Sequence, residues 1–265
     1  MAASPFAEGA VQTPTTSRWR RPWRHAVALA MVAGSLALVM LQRPFAQDPN
    51  YHGFADNRAL LGIANFANVA SNLPFLLVGI AGLAVALRTD SPLRSGWMVL
   101  FAGVTLVSAG SAYYHWDPGD ATLVWDRLPM TVGFMGLFAA LVGEYVDERL
   151  GRLLLVPALA TGLFSVLYGY WAGDLRLYFS IQLLPLVTIP LVMIVYDARY
   201  SLQWLLIAAL SWYGLAKIAE LYDAQIFVLT GRSVSGHSLK HLLAAMAGLM
   251  LVWMLLRRKA IRAPA

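Results

Sequence analysis

The segment GSAYYHWDPGDATLVWDRLPM, residues 110–130, places Ser111, His115 and Asp126 at the junction of two apolar runs. Far downstream, GHSLKH supplies His237 and His241 as an H-x3-H pair. On a helix, residues four apart share a face, so these two imidazoles can reach one ion. Ser111 and His115 are likewise one turn apart. Three imidazoles with an open fourth position form the donor set of a catalytic zinc site, and the same ligand type also suits iron, copper and nickel. Such an ion lowers the pKa of a bound water toward about 7 and provides a hydroxide nucleophile. Asp126 beside it would shuttle a proton to a leaving group. Ser111 would donate to a developing oxyanion. Taken singly, each residue has a plainer explanation. An H-x3-H pair alone is a weak signal, His115 alone suits an interface, and Asp126 alone suits a helix N-cap. The chemistry therefore depends on whether the chain brings the five groups together.

The elements that would do so are written in the composition. Of 265 residues, 59% are hydrophobic and 13% charged, where a soluble domain carries roughly 25% charged residues. Several apolar runs of about 18 residues or more indicate a polytopic helical membrane protein. The alternation of a membrane β-barrel is absent. The fold class expected is all-α: one helical bundle in the bilayer. The chain has no cysteine, which excludes disulfides, thiolate metal sites and a cysteine nucleophile. The net charge of +6 is spread over loop ends, so it reads as membrane topology and not as a nucleic-acid surface.

Residues 1–24 read as a disordered basic tail and 25–42 as a retained N-terminal transmembrane helix, the segment after it being a poor cleavage site. A loop at 43–60 precedes a core at 61–262. Within that core, seven spans are expected near 61–87, 96–115, 121–146, 152–171, 176–196, 202–222 and 237–257. With the N-terminus in the cytoplasm, thirteen Lys and Arg fall in inside segments and five in outside segments, a clear positive-inside bias. Both termini are then cytoplasmic. This topology, set by arginines alone, brings Ser111, His115, Asp126, His237 and His241 to one depth near the extracytoplasmic surface.

Three stretches resemble the alkaline ceramidase family and the wider superfamily that includes adiponectin-receptor-like membrane proteins. NFANVASNLPFLLVGI (65–80) is similar to the family's opening core helix. GSAYYH followed by DRLPM is similar to its Ser-x3-His and Asp-Glu-Leu-Pro-Met segments, and GHSLKH to the His-x3-His of its last helix. The resemblance runs in order through residues 50–257, and the short loops suggest a bacterial member in an inner membrane. It implies a seven-helix core with one helix added before it. It implies zinc held by His115, His237 and His241, with Ser111 and Asp126 serving the transition state. The implied activity is hydrolysis of the N-acyl amide of ceramide, or of a ceramide-like lipid, to a fatty acid and an amine lipid. A rival of another class is a receptor-like or structural metal-binding seven-helix protein without turnover.

Two departures from the family pattern matter. The segment that carries calcium ligands in the family offers here Asp48, Asp56 and Asn57, with Asn65 where a Glu is expected. Calcium prefers several carboxylates, so a tight site is not expected. Asp-Glu has become Asp126-Arg127, which adds a cation near the entrance and raises the prospect of an anionic headgroup. Lys217 and Glu220 are three apart and can pair on one helix face. Together with Lys240, they are candidates for a supporting shell around a ligand or headgroup.

Overall fold

A computed structural model describes residues 22–261. The helices are α1 Pro22–Met40, α2 Phe66–Ala70, α3 Leu73–Arg88, α4 Arg94–Trp116, α5 Asp120–Leu141, α6 Glu148–Ala172, α7 Arg176–Val195, α8 Trp204–Leu221, α9 Asp223–Leu229 and α10 Gly236–Arg257. Among the described residues there are eight stretches long and apolar enough to cross a membrane, α2 and α3 counting as one. Among the described residues no strand accompanies them, only two isolated bridges. The chain is an all-α integral membrane bundle. The expected tail lies outside the described residues up to Arg21, and α1 starts at Pro22.

The expected span 61–87 is divided, the span 202–222 is followed at once by a further short helix, and both features serve the site. The first breaks at Ser71 and Asn72 because Pro74, in the first turn of α3, has no N–H to donate back into the preceding turn. The side chains of Ser71 and Asn72 instead donate to the Asn68 carbonyl, at 3.0 and 2.8 Å. The seventh stretch ends at Leu221, and α9 turns away from it. That turn frees Asp223, whose carboxylate accepts from the His237 amide at 2.7 Å and the Ala55 amide at 2.9 Å. The carboxylate thus ties the N-terminus of α10 to the loop that precedes α2.

The bundle is closed along α4 and α5 by glycines. Gly96, Gly103 and Gly110 recur every seven residues on one stripe of α4. A Cβ on Gly103 would lie 2.4 Å from the Gly133 nitrogen, and one on Gly110 would lie 2.1 Å from the Trp125 carbonyl oxygen. The backbones therefore touch, which is how membrane helices gain dispersion energy without a hydrophobic driving force. Because Gly110 abuts Trp125, the same seam sets Ser111 and His115 beside Asp126.

A cluster of buried apolar side chains that includes Trp97, Phe101, Leu141, Val192 and Leu206 lies toward the end of the bundle away from His115. There Arg258 donates two hydrogen bonds of 2.6 and 2.7 Å to Glu144, which also accepts from the Trp97 indole at 2.7 Å. Outside this bundle α1 packs mainly on α7 and has no buried residue. Its ends are tied by Arg24 to Asp197, and by Arg176 to the carbonyls of Met40 and Gln42, each at 3.0 Å.

Gly103→Val should overpack the α4–α5 seam and cost about 1–3 kcal/mol. Its thermal midpoint in detergent should fall by several degrees, while Gly34→Ala, with open space around its Cβ, leaves the midpoint unchanged.

Candidate metal centre

His115 sits in the last turn of α4, and His237 and His241 in the first two turns of α10. All three are buried. The Nε2 atom of His115 is 3.2 Å from that of His241 and 3.3 Å from that of His237. One ligand atom from each residue lies within 4.8 Å of the other two, the only such group of metal-ligating side chains among the described residues. The spacing decides what the cluster suits. Nitrogens bound tetrahedrally at about 2.0–2.1 Å from a zinc ion stand about 3.3–3.4 Å apart. A cation at their common focus would relieve the repulsion of three lone pairs pointed at one buried spot.

The surroundings fix the His241 ring in a metal-binding tautomer. Ser71 Oγ donates to the Asn68 carbonyl, so it accepts from His241 Nδ1–H at 2.7 Å, which leaves Nε2 of that ring as a lone pair. Asn68 is anchored in turn by Ser238, which donates to its side-chain oxygen at 2.7 Å. Asn65 donates to the His115 carbonyl at 2.9 Å. Above the cluster the ring of Phe54 lies 4.8 Å from that of His115 and 4.6 Å from that of His237. The loop carrying Phe54 is held by His52, which bonds the Tyr114 hydroxyl at 3.0 Å and Asp120 at 3.1 Å.

Ser111 and Asp126 are buried and interact with each other. Asp126 stands in the second turn of α5, so it is not the helix N-cap; Gly119 holds that position. Ser111, Asp126 and His241 all line one elongated cavity of about 430 Å³. One end of it is polar. The other runs between apolar side chains of α4, α5, α7 and α10, among them Val104, Phe134, Ile189 and Leu251. The five groups singled out from sequence thus converge on one place.

The remaining candidates divide. Lys217, Glu220 and Lys240 line the same cavity, and both lysines salt-bridge Glu220. Tyr51 donates to that carboxylate at 3.3 Å. The residues weighed for calcium are engaged separately. Asp48 caps a short turn by accepting from the Asn50 amide at 2.9 Å. Asn57 is exposed, and Asn65 serves His115. Asp56 is buried and receives two hydrogen bonds from its neighbour Arg58, at 2.8 and 2.7 Å. The guanidinium holds this carboxyl below the usual carboxylate range and fills the face that a calcium ion would need.

A family model described as Ceramidase matches residues 58–262. The chain belongs to the Ceramidase family. No curated protein matches it. The matched region holds the three histidines, Ser111 and Asp126, but not α1 or the loop with Phe54 and Tyr51. What the family assignment leaves to the coordinates is the set of residues that orient the ligands. Sequence reasoning placed Ser71 only within the segment similar to the family's opening helix and passed over Phe54. The one available signal was Pro74, which required a break beside Ser71.

Ser71→Ala should release the His241 ring and weaken zinc binding about 10–100-fold in a titration against a competing chelator. An affinity unchanged within twofold would show that Ser71 does not orient the ring.

Proposed function

We propose that this member of the Ceramidase family is a zinc-dependent amidohydrolase that cleaves the N-acyl amide of ceramide or a ceramide-like lipid, releasing a fatty acid and an amine lipid. The observation that carries this reading is the meeting of three buried imidazoles with a carboxylate and a hydroxyl at the polar end of a long apolar cavity. His115, His237 and His241 would hold the ion. When bound, it supplies Lewis acidity that brings the pKa of water toward about 7 and polarises the amide carbonyl.

This chain's residues then have separate tasks. The apolar stretch of the cavity holds the acyl chain and lays the amide against the histidine cluster. Asp126 accepts the proton that the attacking water loses at its oxygen and delivers it to the amide nitrogen as the C–N bond breaks. The water oxygen stays on the acyl carbon, so the products are a carboxylic acid and a free amine. Ser111 Oγ, set against Asp126, donates to the carbonyl oxygen as it becomes an oxyanion. Phe54 and the loop around it keep bulk water from the histidines.

The distribution of Lys and Arg, thirteen against five, supports a cytoplasmic location for both termini. The metal then lies toward the extracytoplasmic leaflet, and the short loops support a bacterial inner membrane as the setting. Residues 61–262 form the catalytic core, and α1 is an addition to it.

The test is bound metal and fatty-acid release by the detergent-purified protein across a panel of N-acyl lipids. His241→Ala should lose both. Ser111→Ala should keep the metal and lose about 10²–10³ in kcat. Asp126→Asn should keep the metal and lose about 10²–10⁴. If the wild type carries metal but releases no fatty acid, and if both variants keep function in cells, the metal is structural and the hydrolase reading fails.

A further inference from the structure

The polar end of the cavity holds three cations, Arg127, Lys217 and Lys240, and three carboxylates, Asp48, Asp126 and Glu220, but of these carboxylates only Glu220 forms an ion pair with any of them. Arg127 follows Asp126 on α5, but residues adjacent on a helix point in different directions. Its guanidinium donates to the Gln47 side chain and lies 4.7 Å from the ring centre of Tyr178 and 5.9 Å from that of Tyr51. Among the described residues no carboxylate lies within ion-pair distance of it. Across the cavity Lys217 and Lys240 share the single carboxylate of Glu220. Lys240 is packed in, whereas Lys217 keeps 54% of its side chain accessible. Asp48, at the rim, is engaged with its own turn.

An arginine cannot shed its proton in a protein, and a cation in an apolar setting is costly without a counter-charge. Ring faces and one amide oxygen compensate only in part. A neutral diol headgroup would supply hydroxyls where the wall offers a guanidinium fork and an ammonium. A phosphate or carboxylate matches that pair, and the fork suits bidentate binding of either. The apolar remainder of the cavity requires the anion to be attached to a chain.

We propose that this cavity takes an N-acyl lipid whose amine-side fragment bears an anionic group, held between Arg127 and Lys217. The inference rests on the hydrolase reading only for which bond is cut, since recognition of an anionic amphiphile by these two residues stands without turnover. In that arrangement Arg127 and Lys217 are specificity-determining residues. Gln47, on the segment after α1, holds the guanidinium in place.

The experiment measures binding by the full-length, metal-loaded protein in a neutral maltoside detergent, and activity in parallel. Dodecyl phosphate should bind at least tenfold more tightly than dodecanol and tenfold more tightly than inorganic phosphate. Arg127→Gln and Lys217→Met should each reduce the preference for dodecyl phosphate over dodecanol toward one. Arg127→Lys should retain part of it, and metal content reports on folding of every variant. In the activity arm, wild-type kcat/KM should favour an N-acyl lipid with an anionic amine fragment over ceramide of equal chain length by tenfold or more. Equal binding of dodecyl phosphate and dodecanol by the wild type would overturn the proposal. So would a preference that survives in both variants, or inorganic phosphate binding as tightly as the amphiphile. Arg127-dependent binding of dodecyl phosphate with no cleavage of any amide would support the anion site and refute the hydrolase.

Discussion

Three buried imidazoles, with His115 Nε2 held 3.2 and 3.3 Å from the Nε2 atoms of the other two, are the constraint around which this bundle is organised. Such a cluster is unfavourable in itself. Each buried ring gives up solvation, and the three lone pairs repel one another at short range. It persists because α4 and α10 are fixed by contacts that do not involve the imidazole rings. The glycine stripe of α4 locks that helix to α5. The start of α10 is pinned by Asp223 and by the close approach of Gly236, where a Cβ would lie 2.2 Å from the Ala219 carbonyl oxygen. The site is therefore preorganised: the protein, and not the ion, bears the cost of ordering the ligands.

The connections between elements carry as much of the function as the helices do. The break between α2 and α3 costs one or two backbone hydrogen bonds, which the Ser71 and Asn72 side chains replace. In return Ser71 faces His241 at a point where a continuous helix would have offered only its side-chain surface. The loop before α2 does similar work. His52, Phe54 and Ala55 are tied between them to α4, α5, α9 and α10, so the loop forms a fixed cover over the histidines instead of a loose crossing.

Much of this was legible in the sequence, and the rest was hidden for definable reasons. Eight apolar stretches, the H-x3-H pair and the alignment of Ser111 with His115 follow from hydropathy and helical periodicity. The positive-inside bias alone brought the five polar groups to one level, and the coordinates have them meeting there. The α4 glycine stripe escaped notice because it repeats every seven residues, not every four. Its partners Gly133 and Gly136 lie on another helix whose rotation no single sequence discloses. The role of Ser71 escaped notice because its partner His241 is 170 residues away. The pairing of Glu220 with Lys217 followed from their spacing, but the second lysine, Lys240, is contributed by α10 and required the fold.

The two ends of the bundle show how differently one chain treats charge. At the far end Glu144 and Arg258 are each 4% exposed, and the carboxylate is saturated by two guanidinium bonds and an indole N–H. That pair is complete, and nothing further is needed to make its burial tolerable. Near the histidines the pattern is the reverse. Arg127 rests on rings and an amide, two lysines divide one carboxylate, and the Nδ1 atom of His115 has no partner among the described residues. A protein able to satisfy a buried arginine fully at one end has not done so at the other, where a cavity adjoins the unsatisfied groups. Incomplete pairing of the cations in the walls of one cavity is what a binding site requires: the missing partners are to be brought in by the ligand.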